Sequence, residues 1–419
     1  MTTDSFHPWL NEYFARFRSG GAGWRPPRPL DVVFIAGSLG ISGGTYVILE
    51  HARYLQRHGA SVTIIPTIGA GKPIPNWHPA LDEITVATFE ELKDRTFDVA
   101  IPTWWPTVYE LPRLRFRHAV YLVQSIESRF YAQGDNYSQA VAAEMTYRLG
   151  LPAITIARWM ETYLSLEHGM PAFLVRNGIA KERYSPDGPA FAARRTDSVR
   201  ALVEGPVGIE MKGVAAAVDA CRTAGFDEVW LLTSSKATEF PGVDRVFSQI
   251  PAAETAFVYR STDVLVKLSQ VEGMYGPPLE MFHCGGTVVT WDVTGCEEYV
   301  VDGYNGIIHQ LGDFDGLQRS LRKLSSDRDY LEMLKANALS TAARWPTWEE
   351  ASQSFYAYLF AIAAGSAIDS ADLALRISGV PNVLSIVRTQ SGPVVHDRSE
   401  SGKPTPDGST ATTADQKRR

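Results

Sequence analysis

The run DVVFIAG (31–37) is apolar at nearly every position, as expected of a strand buried on both faces of a sheet. A glycine- and serine-rich stretch, SLGISGG (38–44), follows it. TYVILEHARYLQRHG (45–59) then spaces its apolar residues as an amphipathic helix and stops at Gly59. SVTIIPT (61–67) reads as the next strand. Strand, glycine loop, helix and strand form a βαβ unit, whose repetition predicts a doubly wound parallel sheet. DVAIPT (98–103), AVYLVQ (119–124) and AITIA (153–157) continue the series. A second set begins after FLVRNGI (173–179), with its clearest strands at EVWLLTSS (228–235), DVLVKLS (263–269) and TVVTWD (287–292). The pattern therefore predicts an α/β chain with two Rossmann-like domains.

The two ends of the chain read differently. Residues 6–17 place Phe6, Trp9, Leu10, Tyr13, Phe14 and Phe17 at helical spacing beside Arg16 and Arg18, and 19–29 reads as a linker. Such a stripe usually packs on its own domain; lying on a membrane surface is the alternative. TWEEASQSFYAYLFAIAA (347–364) opens with a capping box, Thr347 with Glu350. From about residue 388 the chain is rich in Ser, Thr, Pro, Gly and Asp, a composition expected of a disordered tail.

At 419 residues the chain is long enough for two separate cores. A net charge of −7 leaves no broad basic field for a nucleic-acid partner. Cys221, Cys284 and Cys296 lack metal-ligand spacing and are expected to be reduced and buried. The polar opening residues are not followed by the apolar core of a signal peptide, and 358–368 is too short to span a bilayer. A cytoplasmic protein is expected, at most peripheral at the inner face of a membrane.

The chemistry concentrates in EGMYGPPLE (272–280), where two carboxylates flank a Gly/Pro loop at the end of a strand. Pro277 and Pro278 favour a helix start, which would place Glu280 in an opening turn beside N–H groups suited to phosphate. A carboxylate accepts two hydrogen bonds from a vicinal diol, so one acid suits a ribose and the other a transferred sugar. The glycines of 38–44 let backbone approach a ligand closely, without forming the dinucleotide-binding pattern. Lys212, in EMKGVAAAVDAC (210–221), stands just before an alanine-rich helix and suits a phosphate. The pairs Asp313–Asp315 and Asp327–Asp329 precede helices and are expected to cap them rather than bind metal.

With Ser269, Glu272, Gly273, Glu280, Met281, Cys284, Gly285, Val288, Val289, Asp302, Gly303 and Gly306 in register, the chain resembles the retaining glycosyltransferases of the GT-B fold, family four. The resemblance implies two Rossmann-like domains facing across a cleft, with a C-terminal helix crossing back onto the first. It divides the chain into an N-terminal helix and linker (1–29), an acceptor domain (30–173), a donor domain (174–345), the crossover segment (346–387) and the tail (388–419). It further implies a nucleotide-diphosphate sugar as donor, no metal and no other cofactor. Glu280 would hold the ribose diol, and Glu272, with Gly273, the hydroxyls of the transferred sugar. Lys212 would meet the diphosphate, and Gly43 and Gly44 would face it from the first domain.

Two departures stand out. The family's phosphate-binding arginine falls on Pro206 or Val207, so either another cation such as Arg176 or Lys267 takes its role or phosphate is bound more weakly. Where the family presents a histidine the chain has Gln124, in QSIESRF (124–130). That segment is similar to one in bacterial polysaccharide rhamnosyltransferases, which points to dTDP-rhamnose among the UDP, GDP and other donors. The same departures fit a non-catalytic nucleotide-sugar binder, and a sugar-nucleotide epimerase of this fold is a further alternative. The acceptor (glycan, lipid or small molecule) is left open, and Trp104, Trp105 and Tyr109 could line its site or fill the core.

Overall fold

The structure is a computed structural model that describes residues 28–131 and 137–380. The aromatic stripe at 6–17 and the tail from 388 lie outside the described residues.

The first sheet is wholly parallel, with strands β1 (Asp31–Ala36), β2 (Ser61–Pro66), β3 (Thr85–Val86), β4 (Thr96–Pro102) and β5 (Arg115–Ala119) in the order β3-β2-β1-β4-β5. Its core strand β1 is buried from Val32 to Ala36, as its unbroken apolar run requires. The run 119–124 divides: β5 ends at Ala119, and β6 (Tyr121–Val123) joins β7 (Ala153–Thr155) and β8 (Ala172–Leu174) in a separate three-stranded sheet. Strand order reverses between β1 and β4, so the crevice outside their carboxyl ends is where a ligand is expected. The helix after β1 begins at Gly43, two residues earlier than its apolar spacing predicts, because the Ser42 hydroxyl caps it by accepting the Thr45 N–H at 3.1 Å. Gly43 and Gly44 are thus its first turn rather than a loop.

The second sheet has six parallel strands: β9 (Arg200–Glu204), β10 (Glu228–Thr233), β11 (Arg245–Ser248), β12 (Val264–Lys267), β13 (Thr287–Trp291) and β14 (Ile307–His309), in the order β11-β10-β9-β12-β13-β14. Here the order reverses between β9 and β12. Central β9 has no long apolar run to mark it, because Arg200 and Glu204 bound a core of only three residues.

The segment 177–178 is stitched to the chain just before the last long helix. Gly178 lies so close to Thr347 and Trp348 that a Cβ would stand 2.3 Å from Trp348 backbone, and Trp345 Nε1 donates to Asn177 O at 2.9 Å. The capping box closes as expected, and helix Trp348–Ala363 then packs on the first domain. His51 Nδ1 meets Ser352 Oγ at 2.9 Å, and its ring stacks on Phe355 with centroids 4.3 Å apart. Burial pushes His51 down to about 3, so this seam is neutral at physiological pH.

Candidate donor site in the interdomain crevice

Five of the residues singled out in the sequence come together. Lys212 ends a short 3-10 turn (Glu210–Lys212), and its Nζ pairs with Glu272 Oε1 at 2.8 Å. The Lys-Gly pairing has a steric reason. Gly213 has φ +65°, and a Cβ there would lie 2.3 Å from Leu268 O, so glycine lets the turn reach the loop after β12. The Thr294 hydroxyl donates to Glu272 O at 2.8 Å and fixes the backbone of that loop.

At Gly273 the domains touch. A Cβ on it would stand 2.3 Å from Gln124 O, and its own carbonyl accepts Trp159 Nε1–H at 2.9 Å. Gly295 presses from the other side, with a Cβ there 2.3 Å from Gly273 O. Gln124 bridges onward, its Nε2 donating to Gly44 O at 3.3 Å. Lys212, Glu272, Gly273, Gln124 and Gly44 therefore form one continuous chain across the crevice. Gly43 is exposed, and a Cβ there would meet nothing within 4 Å.

Glu280 is placed differently from expectation. The helix Gly276–His283 has Tyr275 as N-cap and Pro277 and Pro278 in its first turn, so Glu280 opens the second turn. Two prolines also remove two of the N–H groups that would face a phosphate, leaving those of Gly276 and Leu279. Burial pushes the Glu280 carboxyl up to about 7, against hydrogen bonds from the Tyr259 and Tyr184 hydroxyls, while Glu204 pushes it further up and Arg183 pulls it down. Tyr184 also shares a hydrogen bond with Thr255 Oγ1 at 2.8 Å. Sequence reading missed Tyr184, Tyr259, Arg183 and Trp159, which approach from other elements with no local motif.

Several expectations resolve on geometry. Arg176 is committed to Glu298, Nε to Oε2 at 3.0 Å, with its guanidinium 5.5 Å from the Trp345 ring centre. It belongs to the domain seam. Trp105 and Tyr109 are core residues, whereas Trp104 is half-buried against Gly37, where a Cβ would lie 2.9 Å from the indole. Asp313 and Asp327 cap the Gly316 and Tyr330 N–H groups at 2.9 and 3.0 Å, as expected. The three cysteines are free and buried. Among the described residues no three His, Cys, Asp or Glu side chains converge as a metal site, and no helix is long and apolar enough to cross a membrane.

Glu127, three residues after Gln124, is a buried acid of the first domain. Its Oε2 accepts both the Trp105 N–H and the Tyr121 hydroxyl at 2.8 Å. Burial pushes it up to about 7, with those two donors pulling the other way.

Two facing Rossmann-like domains, recrossed by the helix Trp348–Ala363, define a protein of the GT-B fold. Residues 226–341, which contain the loop 272–280, match the family described as glycosyl transferases group 1. Sucrose-phosphate synthase of Thermosynechococcus elongatus superposes with a TM-score of 0.66 at 16% identity, over 79% of this chain and 99% of that one. HepE of Anabaena, solved with UDP and glucose, gives a TM-score of 0.62 at 13% identity, over 79% of this chain and 100% of that one. In sequence, the O-antigen biosynthesis protein RfbC of Myxococcus xanthus is 27% identical over 264 residues, 60% of this chain. The match takes up 20% of the length of that relative.

Proposed function

We propose that this chain is a retaining, metal-independent glycosyltransferase that moves a sugar from a nucleotide-diphosphate donor to a glycan, lipid or small-molecule acceptor. The observation that carries the reading is the Lys212–Glu272 pair at the carboxyl end of the second sheet, facing Gly44 through Gln124. As the glycosidic bond breaks, negative charge develops on the β-phosphate of the leaving nucleotide. Lys212 meets that charge, a preorganised electrostatic contact of the kind that lowers transition states most. Glu272, released from Lys212, takes the hydroxyls of the transferred sugar and positions it rather than attacking it. Glu280 holds the ribose diol. The exposed first turn at Gly43 offers N–H groups from the opposite wall, and the closed crevice excludes water.

UDP-type donors are supported by the likeness to HepE, and a polysaccharide acceptor by the resemblance to an O-antigen biosynthesis protein. The test is a thermal-shift panel of UDP, GDP, ADP and dTDP with their common sugars, on wild type and Glu280→Ala. Stabilisation by one nucleotide, lost in the variant, is the expected result, since ligand binding stabilises by mass action. Turnover with the matching donor and a chelator, followed by the anomeric configuration of the product, then checks metal independence and retention. Binding without turnover on any acceptor would favour the non-catalytic reading, and donor conversion without an acceptor an epimerase.

A further inference from the structure

The donor crevice holds another charged pair, Glu204 and Lys267, which the mechanism above leaves unused. β9 and β12 are the strands between which the second sheet reverses order, and ligands of open parallel sheets bind outside the carboxyl ends at such a point. The register Val264↔Ala201 through Val266↔Val203 brings Glu204 and Lys267 side by side at those ends. Lys267 Nζ bonds the Glu204 carboxylate, lies 3.3 Å from Glu204 O, and sits 5.8 Å from the centre of the Tyr275 ring.

The ammonium is almost wholly enclosed. The Lys267 side chain is 4% exposed, between the buried Val266 and Leu268, while Glu204 at 22% stands nearer the crevice. Burying an ammonium is costly before its partner offsets any of it, and an aliphatic side chain would serve a plain core position there. Burial lowers the Lys267 pKa, yet the carboxylates of Glu204, Glu272 and Glu280 together lift it above its ordinary value. One fixed positive charge is thus shared among three acids around the same crevice. Meanwhile Pro206 and Val207, which follow β9, carry no charge, and Arg176 is held at the seam by Glu298.

Resting on the glycosyltransferase reading, we propose that Lys267 supplies the second positive charge of the diphosphate site, with Glu204 as the counter-charge that tempers it. Lys267 is a positioning residue. It acts through the field beneath the donor loop and remains fixed while Lys212 turns from Glu272 to the phosphates. Glu204, nearer the crevice, opposes an arriving anion.

The two members of the pair therefore predict opposite effects on nucleotide binding, measured by calorimetry on the full chain. The probes are the nucleoside diphosphate that wild type prefers and the matching monophosphate. Lys267→Met should weaken the diphosphate by about tenfold, the scale of one unit charge several ångströms away at a partly buried site, and the monophosphate much less. Glu204→Gln, nearly isosteric, should tighten the diphosphate by about threefold or more. Equal weakening of both ligands by Lys267→Met, or weakening by Glu204→Gln, would show the pair to be structural and overturn the proposal. A wild type that binds no nucleoside diphosphate at all would instead overturn the donor-site reading, and this proposal with it.

Discussion

Lys212 Nζ and Glu272 Oε1 are 2.8 Å apart, so the group proposed to meet the phosphate is bound to the group proposed to meet the sugar. Each must give up the other when a donor enters. Glu272→Gln should therefore separate binding from chemistry. Turnover is expected to fall by roughly 10²-fold or more, the scale of losing one transition-state contact. Affinity for the free nucleoside diphosphate should hold or rise, because Lys212 no longer faces a carboxylate that competes with the phosphates. Steady-state kinetics alongside calorimetry on the same variant checks both halves, and wild-type turnover would remove Glu272 from the mechanism.

The two glycine positions make a matched pair. At Gly273 a Cβ would stand 2.3 Å from Gln124 O, backbone that cannot yield without moving one domain against the other. Gly273→Ala is expected to cost about 1–3 kcal/mol, as overpacking does, and to lower kcat by opening the seam. Gly43 faces open space, so Gly43→Ala should leave unfolding unchanged within about 0.5 kcal/mol. Any loss of activity in Gly43→Ala would then report a ligand approaching that helix turn. Chemical denaturation and donor kinetics on both variants distinguish these outcomes.

Glu127 and Glu280 are both held near 7 in the folded protein, against an ordinary value of 4.5. Between those pH values the folded state keeps protons that the unfolded state has released. On their account stability is highest below about pH 4.5, falls as pH rises to about 7 and is flat above it. Glu127→Gln mimics the protonated form and should flatten part of that slope. Glu127→Ala should cost about 2–4 kcal/mol near neutral pH, because it leaves the Trp105 N–H and Tyr121 hydroxyl without their acceptor. Urea midpoints for the three proteins, measured from pH 5 to 8, test this. A wild-type slope of the opposite sign across that window would refute the assignment.

What could be read from the sequence follows from where each residue finds its partners. β1 and β12 announce themselves because both faces are covered and the run is unbroken, apart from Lys267 at the end of β12. β9 does not, although it is central. Its Arg200 pairs with Glu228 at 2.8 Å and its Glu204 with Lys267, and both partners come from strands far along the chain. The Lys212-Gly213 and Glu272-Gly273 pairs are legible because steric need for glycine sits beside the charge. The tyrosines and arginine around Glu280 are not, since residues 183, 184 and 259 converge only through the fold. Glu280 falls just past the first turn because the helix begins at Gly276, one residue before the prolines that mark its start in the sequence.

Glu280 also sets two readings of the donor against each other. A carboxylate that grips a ribose accepts from both the 2′ and 3′ hydroxyls, and dTDP has only the second. With a hydrogen bond to a charged acceptor worth about 1.5–3 kcal/mol, UDP should bind about 10- to 100-fold more tightly than dUDP. The resemblance of QSIESRF to rhamnosyltransferase segments points instead to a dTDP sugar, for which that preference would be absent. The preference should grow as pH rises through about 7, where Glu280 ionises, and should disappear in Glu280→Ala. Phosphate ionisation affects UDP and dUDP alike, so the ratio of their affinities isolates the carboxylate. Equal binding of the two at pH 8 would take the ribose away from Glu280 and return the deoxynucleotide donor to the front.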